Sequence, residues 1–383
     1  MPEKKRRTAQ SAKQARRAKL RRKRRIRRAI WRSVLSLLTV LVLIVAAALC
    51  AGYVGFRGPS QTVGDLLTVS MLETSALKFV PRIYYSEAKV QEIVERNSIG
   101  EMAEETNTSL IVIAPPTPEP SATPDPALQP EVTPEPAGNS VAAPTSTRAP
   151  IIDENGIQIY ELWGGTYHGY MAVVQDPSRV TVGTCRDSFN SSAGLVLDEL
   201  AKRYDAVAAI NGGAFADTNG GGNGGQPTGL VVSEGKLMHK ADTSSQNNLV
   251  IGFTQDDILV FGKWTTEEAA KWNIRDAVAF GPALVLNGEP VEAKGISSGL
   301  NPRTAIGQRA DGAVLMLVIE GRQANSLGAT YADLIKIMVD FEAVNAANLD
   351  GGSSSMLYYD GEYVTNGVVL TGSRKLPTAF IVR

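Results

Sequence analysis

The chain has 383 residues, and its 39 Lys and Arg residues balance 39 Asp and Glu residues, so the formal net charge is zero. This length allows two or three domains. The two cysteines exclude a disulfide-stapled fold and a cysteine-rich zinc site, and the two histidines argue against an all-histidine metal centre. The charge is unevenly distributed, because residues 1–32 hold 16 basic residues and one acidic residue.

Residues 33–56 form an uncharged apolar run of 24 residues. A helix of this length reaches about 36 Å, which is enough to span a membrane. The basic segment 1–32 predicts a cytoplasmic N-terminus, so the rest of the chain is expected outside the cell membrane. A signal peptide cleaved near Ala46–Ala48 is the alternative, but the long basic leader and the apolar residues beyond that point favour an anchor.

The basic block at residues 19–28 has two interpretations, nucleic-acid binding and contact with anionic lipid headgroups. It lacks interleaved aromatic residues and directly precedes the apolar run. We therefore predict lipid contact through a single transmembrane helix and no nucleic-acid partner.

Two connecting segments follow. Residues 57–114 are predicted to be a membrane-proximal stalk with one short helix, which is capped by Ser86 and has Val90 and Ile93 on one face. Residues 115–150 hold 11 of the 20 prolines, which predicts an extended linker that forms no core of its own.

Residues 151–383 are large enough for one substantial core. Many short β-branched or alternating segments end at glycine-containing turns, which is typical of antiparallel strands. Helices are expected at Leu195–Tyr204 and at Thr330–Phe341, where Thr330 and Asp333 resemble a capping box. The predicted fold class is therefore α+β, with a mostly antiparallel sheet core and a few packed helices.

Three segments combine turn glycines with polar residues at the ends of predicted strands. Glycine turns allow the backbone to approach a ligand closely, arginines suit phosphate or carboxylate oxygens, and carboxylates serve as acid, base or nucleophile. The candidate groups are Asn211, Gly212 and Gly213 after the first strand, Arg303, Glu320 and Arg322 around the second and third, and Asp350, Gly351, Gly352 and Ser353 after the fourth.

The outer domain resembles the phosphodiester glycosidase family. The resemblance lies in INGGAF at 210–215, PTGLVVSEGKL at 227–237, NPRTAIG at 301–307, VIEGR at 318–322 and NLDGGSSSM at 348–356. These motifs cover most of residues 151–383 in matching order. The family usually has Asp at the position of Glu320, so the carboxylate is kept with a longer side chain.

The resemblance implies hydrolysis of a sugar C1–O–P bond in a glycan or sugar-phosphate substrate. It implies carboxylate roles for Asp350 and Glu320, phosphate contacts for Arg303 and Arg322, and sugar positioning by Asn211 and the glycine turns. Two alternatives stay open: a non-catalytic module that binds an anionic wall polymer or exopolysaccharide, and a glycosidase that acts on non-phosphorylated glycans.

The sequence requires no cofactor. Ca²⁺ is compatible with Asp217, Asn219 and Asp350, although no ligand spacing compels it. The oligomeric state is left open.

Overall fold

A computed structural model of the chain describes residues 2–74, 77–102, 104–113, 149–189, 192–217, 222–240, 249–366 and 374–383. Nearly all of the predicted proline-rich linker, 115–150, lies outside these residues. The helices in the described residues are α1 Pro2–Arg57, α2 Gln61–Leu72, α3 Pro81–Tyr84, α4 Glu87–Arg96, α5 Leu197–Arg203, α6 Thr266–Lys271 and α7 Tyr331–Asp340.

The strands in the first half of the folded domain are β1 Ile152–Glu154, β2 Ile157–Trp163, β3 His168–Val174, β4 Val180–Thr184, β5 Ala208–Asn211, β6 Val231–Ser233, β7 Lys236–His239, β8 Leu249–Thr254 and β9 Leu259–Gly262. Those in the second half are β10 Ile274–Phe280, β11 Ala283–Leu286, β12 Glu289–Pro290, β13 Arg303–Arg309, β14 Val314–Ile319, β15 Ala343–Leu349, β16 Leu357–Tyr359, β17 Glu362–Tyr363 and β18 Thr378–Val382.

These strands form antiparallel sheets. The largest has eight strands in the order β1-β2-β3-β14-β13-β15-β11-β12. Two five-stranded sheets have the orders β7-β6-β10-β8-β9 and β17-β16-β5-β18-β4. The predicted α+β class with a mostly antiparallel sheet core is therefore confirmed.

The main core contains buried side chains from all three sheets, including Ile159, Ile210 and Phe253. A second core lies where α7 packs on β11 and β15 and contributes Leu334 and Met338. The helix begins where the sequence predicts it, because the Thr330 hydroxyl accepts a hydrogen bond from the Asp333 amide. Its apolar stripe at three- and four-residue spacing then covers the large sheet.

The chain divides into two compact units, Met1–Gly64 and Asp65–Arg383. The first contains the long helix α1, whose residues 21–57 include an apolar stretch long enough to cross a membrane. The apolar run predicted at 33–56 lies inside this helix, and its side chains are exposed from 33 to 51, whereas Phe56 is buried.

The structure differs from the expectation of a separate stalk at 57–114. From Asp65 onward this segment belongs to the same compact unit as the β-sheets. The capped helix at Ser86 is present as α4, with Val90 and Ile93 buried. Backbone pairing of Gly100 with Glu292 extends the contact. A segment too small for its own core is thus stabilised by burying its apolar residues in the larger unit. We call residues 65–113 the upstream segment.

Candidate functional site

Three neighbouring strands bring the predicted arginine and carboxylates to one edge of the large sheet. Strand β13 begins at Arg303 and lies between β14 and β15. Because both neighbours are antiparallel to β13, their C-terminal ends meet its start, with Arg303 opposite Ile319 and Thr304 opposite Leu349. Glu320 and Asp350 follow those two ends directly.

Asn211 joins this edge to the neighbouring sheet. Its side-chain amide donates to the carbonyl oxygen of Asp350 at 2.6 Å, and its Oδ1 accepts from the Thr304 hydroxyl at 2.7 Å. The Asp350 amide in turn donates to the Gly212 carbonyl at 3.2 Å. Gly212 is required here, because a Cβ atom at this position would lie 2.5 Å from the hydroxyl of Thr378.

These segments surround a cavity of about 630 Å³. Its wall combines three arginines with three carboxylates, three aromatic rings and the Asp350 turn. The residues that line it are Glu73, Thr74, Ala214, Phe215, Asp217, Phe280, Asn301, Pro302, Arg303, Arg322, Tyr331, Asn348, Asp350, Gly351, Gly352, Ser353, Ser354 and Arg374.

Asp350 is the carboxylate with the most perturbed environment in this wall. Burial raises its pKa to about 6, although hydrogen bonds from Ser354 and Gly351 and the charge of Arg374 act in the opposite direction. Its Oδ2 atom is buried and has no hydrogen-bond partner among the described residues. A buried, unsatisfied carboxylate oxygen in a cavity wall is typical of a group that acts on a ligand.

Arg303 is held firmly in the wall and is only 6% exposed. Its guanidinium donates to the Gly299 carbonyl at 2.9 Å and to the Glu73 carboxylate at 2.7 Å. It also stacks on Tyr331, with 4.3 Å between the guanidinium carbon and the ring centroid. The charge is therefore fixed in position and already paired with a carboxylate.

Arg322 is more exposed, and it sits in a left-handed backbone conformation with φ of 58°. Such a conformation costs free energy for a non-glycine residue and is typical of functional sites. Desolvation and the nearby charge of Arg303 lower its pKa. The guanidinium lies over Gly352, whose φ of 66° is another left-handed conformation.

Arg374 is the third arginine of the wall. It pairs with Asp217 at 2.6 Å, and its guanidinium carbon lies 5.1 Å from the centre of the Phe215 ring. Burial opposes ionisation of Asp217, but the hydrogen bonds from Arg374 and the Gly222 amide outweigh this effect and lower its pKa. Asp217 is thus a structural counter-ion, whereas Asp350 titrates near neutrality.

Glu320 lies beside the main cavity, in a smaller chamber of about 60 Å³. The two spaces share Pro302, Arg322, Gly352 and Ser353 in their walls. Glu320 is 3% exposed and hydrogen-bonds His168 Nδ1 at 2.8 Å through one oxygen. Its other oxygen accepts from the Asn366 amide at 2.5 Å. Both oxygens are therefore occupied, and His168 is itself held by Glu161 at 2.9 Å.

The structure brings together most of the predicted site residues. Those that line the main cavity are Arg303, Arg322, Asp350, Gly351, Gly352 and Ser353. Glu320 faces the smaller chamber. Asn211, Gly212 and Gly213 lie behind the wall, where Asn211 is fully buried. Their roles toward a substrate remain predictions, and the geometry places Asn211 as a positioning residue for Asp350.

Sequence reasoning missed Glu73, Tyr331 and Arg374. Glu73 lies 78 residues before the start of the predicted outer domain at 151, in the segment predicted to be a stalk. Tyr331 was considered only as part of a helix, and Arg374 lies in a stretch without a strand or turn pattern. The sequence signal for Glu73 is an acidic residue directly after the apolar helix α2. This signal indicates a site residue only when α2 is known to pack beside Arg303.

Within the described residues, no group of three or more His, Cys, Asp or Glu side chains could hold a metal ion. Of the residues considered for Ca²⁺, Asp217 is paired with Arg374, and Asn219 lies outside the described residues. A Ca²⁺ site therefore stays a prediction.

Comparison with known proteins follows the same part of the chain. The family model of the phosphodiester glycosidases matches residues 204–383. The uncharacterized protein YomE of the SPbeta prophage in Bacillus subtilis is 30% identical over 175 residues, which are 44% of this chain and 26% of that protein. The N-acetylglucosamine-1-phosphodiester alpha-N-acetylglucosaminidase of Bos taurus is 25% identical over 183 residues, 43% of this chain and 33% of that enzyme. The chain spans only about a quarter to a third of the length of these curated relatives.

Among solved structures, the catalytic domain of the zebrafish N-acetylglucosamine-1-phosphodiester alpha-N-acetylglucosaminidase, auto-inhibited by its pro-peptide, has the same fold. The match has a TM-score of 0.50 and 22% identity, and it covers 63% of this chain and 86% of the zebrafish domain. The motifs around Asn211, Arg303 and Asp350 all lie in the matched region or at the cavity built from it. Over residues 204–383, the chain therefore matches the family of the phosphodiester glycosidases.

Proposed function

We propose that the protein is a hydrolase that cleaves the glycosidic C1–O–P bond of a sugar-1-phosphate phosphodiester in a cell-surface glycan or exopolysaccharide. The observation that carries the proposal is the unsatisfied oxygen of Asp350 in a cavity lined by three arginines. The match to the phosphodiester glycosidase family model supports the bond type, because the family is named for that activity.

The reaction adds water across the C1–O bond. Positive charge develops at C1 and the ring oxygen as the phosphate oxygen leaves, and an ionised Asp350 stabilises that charge or attacks C1 directly. Water then supplies the hydroxyl group at C1, so the products are a free sugar and a phosphomonoester. Because phosphate is a good leaving group, protonation of the leaving oxygen contributes less than in an ordinary glycosidase.

The arginines serve the departing phosphate. A guanidinium matches two phosphate oxygens with two parallel hydrogen bonds, which a lysine does not. Arg322 is the most accessible of the three and stands between the main cavity and the chamber of Glu320. We assign it the contact with the leaving phosphate, and we assign Glu320 with His168 to the positioning of that part of the wall.

The location is proposed from the first unit. The apolar helix preceded by 16 basic residues within 1–32 supports a single-pass anchor with a cytoplasmic N-terminus. The folded domain then acts outside the cell membrane, where surface glycans occur.

The test is release of free sugar from a panel of methyl esters of sugar 1-phosphates by the full chain in detergent. We expect turnover on at least one α- or β-linked member, and a loss of at least about 100-fold in Asp350→Asn, comparable to removing one key electrostatic group from an active site. Wild-type rates in that variant would falsify the assignment of Asp350.

The matched control is Asp360→Asn. Asp360 is an exposed aspartate with φ of 43°, a conformation that asparagine tolerates well, so its rate should match wild type. Equal turnover on methyl glycosides without phosphate would instead favour an ordinary glycosidase. Tight binding of an anionic polysaccharide without any product would favour a binding module.

A further inference from the structure

The carboxylate of Glu73 occupies a set of hydrogen-bond donors at the cavity wall. Its Oε2 accepts from the Arg303 guanidinium at 2.7 Å and from the Asn301 side-chain amide at 2.6 Å. Its Oε1 accepts from the Gly299 backbone amide at 3.3 Å. Two oxygens that share one negative charge are thus bound by one cation and two neutral donors.

The same donors suit the anionic part of a phosphodiester. A phosphodiester also carries a single negative charge shared by two terminal oxygens, with an oxygen spacing close to that of a carboxylate. Arginine, side-chain amides and backbone N–H groups are the donors that bind such oxygens in proteins. Glu73 therefore resembles, in charge and acceptor geometry, the group that the proposed substrate brings into this cavity.

The backbone that carries Glu73 is fixed, whereas its side chain is less confined. Ser70, one helical turn earlier, accepts a hydrogen bond from the Leu300 amide at 2.9 Å. A Cβ atom at Gly299 would lie 2.2 Å from the Cα atom of Ser70, so the two backbones are in close contact. The Glu73 side chain keeps 28% exposure beside this contact, so its carboxylate reaches solvent by rotation while the helix stays docked.

We infer that Gly299, Asn301 and Arg303 form the anion subsite of the cavity, and that the Glu73 carboxylate fills it as an internal competitor of the substrate phosphodiester. This inference rests on the proposed function. The segment is a permanent part of the wall, and only the side chain exchanges with the ligand. Substrate binding does not require removal of the upstream segment from the chain.

The competition has a measurable cost. A ligand that binds only the fraction of molecules with a vacant subsite has its apparent affinity reduced by that fraction. If the Arg303–Glu73 pair is formed in about 90% of molecules or more, removing the carboxylate strengthens the apparent binding of a phosphodiester about 10-fold or more. It also leaves the charge of Arg303 buried and unpaired, so an external anion gains an additional stabilising role.

The experiment measures binding of dimethyl phosphate, a monoanionic diester without a sugar, to the full chain in detergent. We expect Glu73→Gln and Glu73→Ala to bind it at least about 10-fold more tightly than wild type. We also expect its addition to raise their thermal unfolding midpoints more than that of wild type. The control is Glu95→Gln, an exposed glutamate on α4 of the same segment, which should behave as wild type.

The outcomes separate the inference from the proposed function. Unchanged or weaker binding in both Glu73 variants, with cooperative unfolding retained, would overturn the competitor role and leave Glu73 as a positioning residue for Arg303. If the variants do not fold alone, folding restored by dimethyl phosphate supports the subsite, and failure of the anion to restore it counts against it. Tighter binding without turnover on any sugar phosphodiester would sustain the subsite and reject the hydrolase.

Discussion

At the scale of single residues, the cavity holds carboxylates with opposite electrostatic environments. Asp217 is paired with Arg374 and has a lowered pKa, whereas burial raises the pKa of Asp350 to about 6. Carboxylates whose pKa values are pushed apart in one site take different roles. Asp217 stays ionised and orients an arginine, and Asp350 changes charge within the physiological pH range.

The pKa of Asp350 gives a pH prediction. The carboxyl is neutral below about pH 6 and ionised above it, and the proposed mechanism uses the ionised form. We therefore expect kcat/KM to rise about 10-fold per pH unit below pH 6 and to level off above it. A rate that instead falls as the pH rises through 6 would contradict this role and identify Asp350 as a proton donor.

A variant tests whether ionisation of Asp350 causes this rise of kcat/KM with pH. The charge of Arg374 lowers the pKa of Asp350, and the charge of Asp217 raises it. Arg374→Gln removes the first effect and leaves the second, so the rise in kcat/KM should move to higher pH. The matched control is Arg309→Gln, which removes an arginine paired with Asp311 outside the cavity wall. It should leave the pH at which kcat/KM levels off unchanged.

At the scale of elements, the upstream segment is part of the folded domain. Helix α4 buries Val90 and Ile93, and its C-cap residue Asn97 bonds the Ile296 amide at 3.0 Å. Asp65 also pairs with Arg96, which links α2 to α4. The contact therefore combines apolar burial with directional hydrogen bonds, and it places Glu73 at the cavity.

This contact predicts that the segment and the sheets unfold together. Ile93→Ala removes a fully buried side chain and should lower the free energy of unfolding by about 2–5 kcal/mol in a single transition. Denaturant unfolding followed by tryptophan fluorescence measures it, since Trp163 of β2 and Trp264 and Trp272, which flank α6, lie in the sheet region. The control Ile83→Ala alters an exposed isoleucine and should cost little. Two separate transitions would contradict a joint unit.

Local sequence patterns were sufficient for many elements and insufficient for the packing of the upstream segment. Thr330 and Ser86 cap the helices that their sequences predict, because capping depends on residues three or four positions apart. Glu73 reaches Arg303 across 230 residues, and no local pattern encodes such a pairing. The motif around Glu320 predicts a catalytic role for it. The same motif does not predict its hydrogen bond with His168, which lies 152 residues away in sequence.

At the scale of the whole molecule, two compact units are joined within α2. The first carries the basic residues and the apolar helix, and the second carries the sheets and the cavity. Residues 33–383 carry a net negative charge, which repels an anionic substrate at long range. Attraction at short range must then come from the arginines of the cavity.

The apolar helix predicts stable membrane association. The full chain should stay in the membrane fraction after washing with high salt, which screens the basic segment but does not affect apolar insertion. Deletion of 33–56 should release it into the soluble fraction. Intact mass measurement provides the second readout, since loss of residues up to about Ala48 would identify a cleaved signal peptide instead of an anchor.

The hydrogen bonds of Asn211 have a consequence for sequence variation in this protein. The side-chain amide of Asn211 bonds the Asp350 carbonyl and the Thr304 hydroxyl, so it connects three chain segments that are distant in sequence. Substitution of Asn211 or Thr304 removes one of these hydrogen bonds, whereas a side-chain change at Asp350 leaves its carbonyl in place. Redesign toward a different sugar should therefore keep Asn211, Thr304 and Asp350, together with the phosphate contact Arg322, and vary the exposed rim at Ser353.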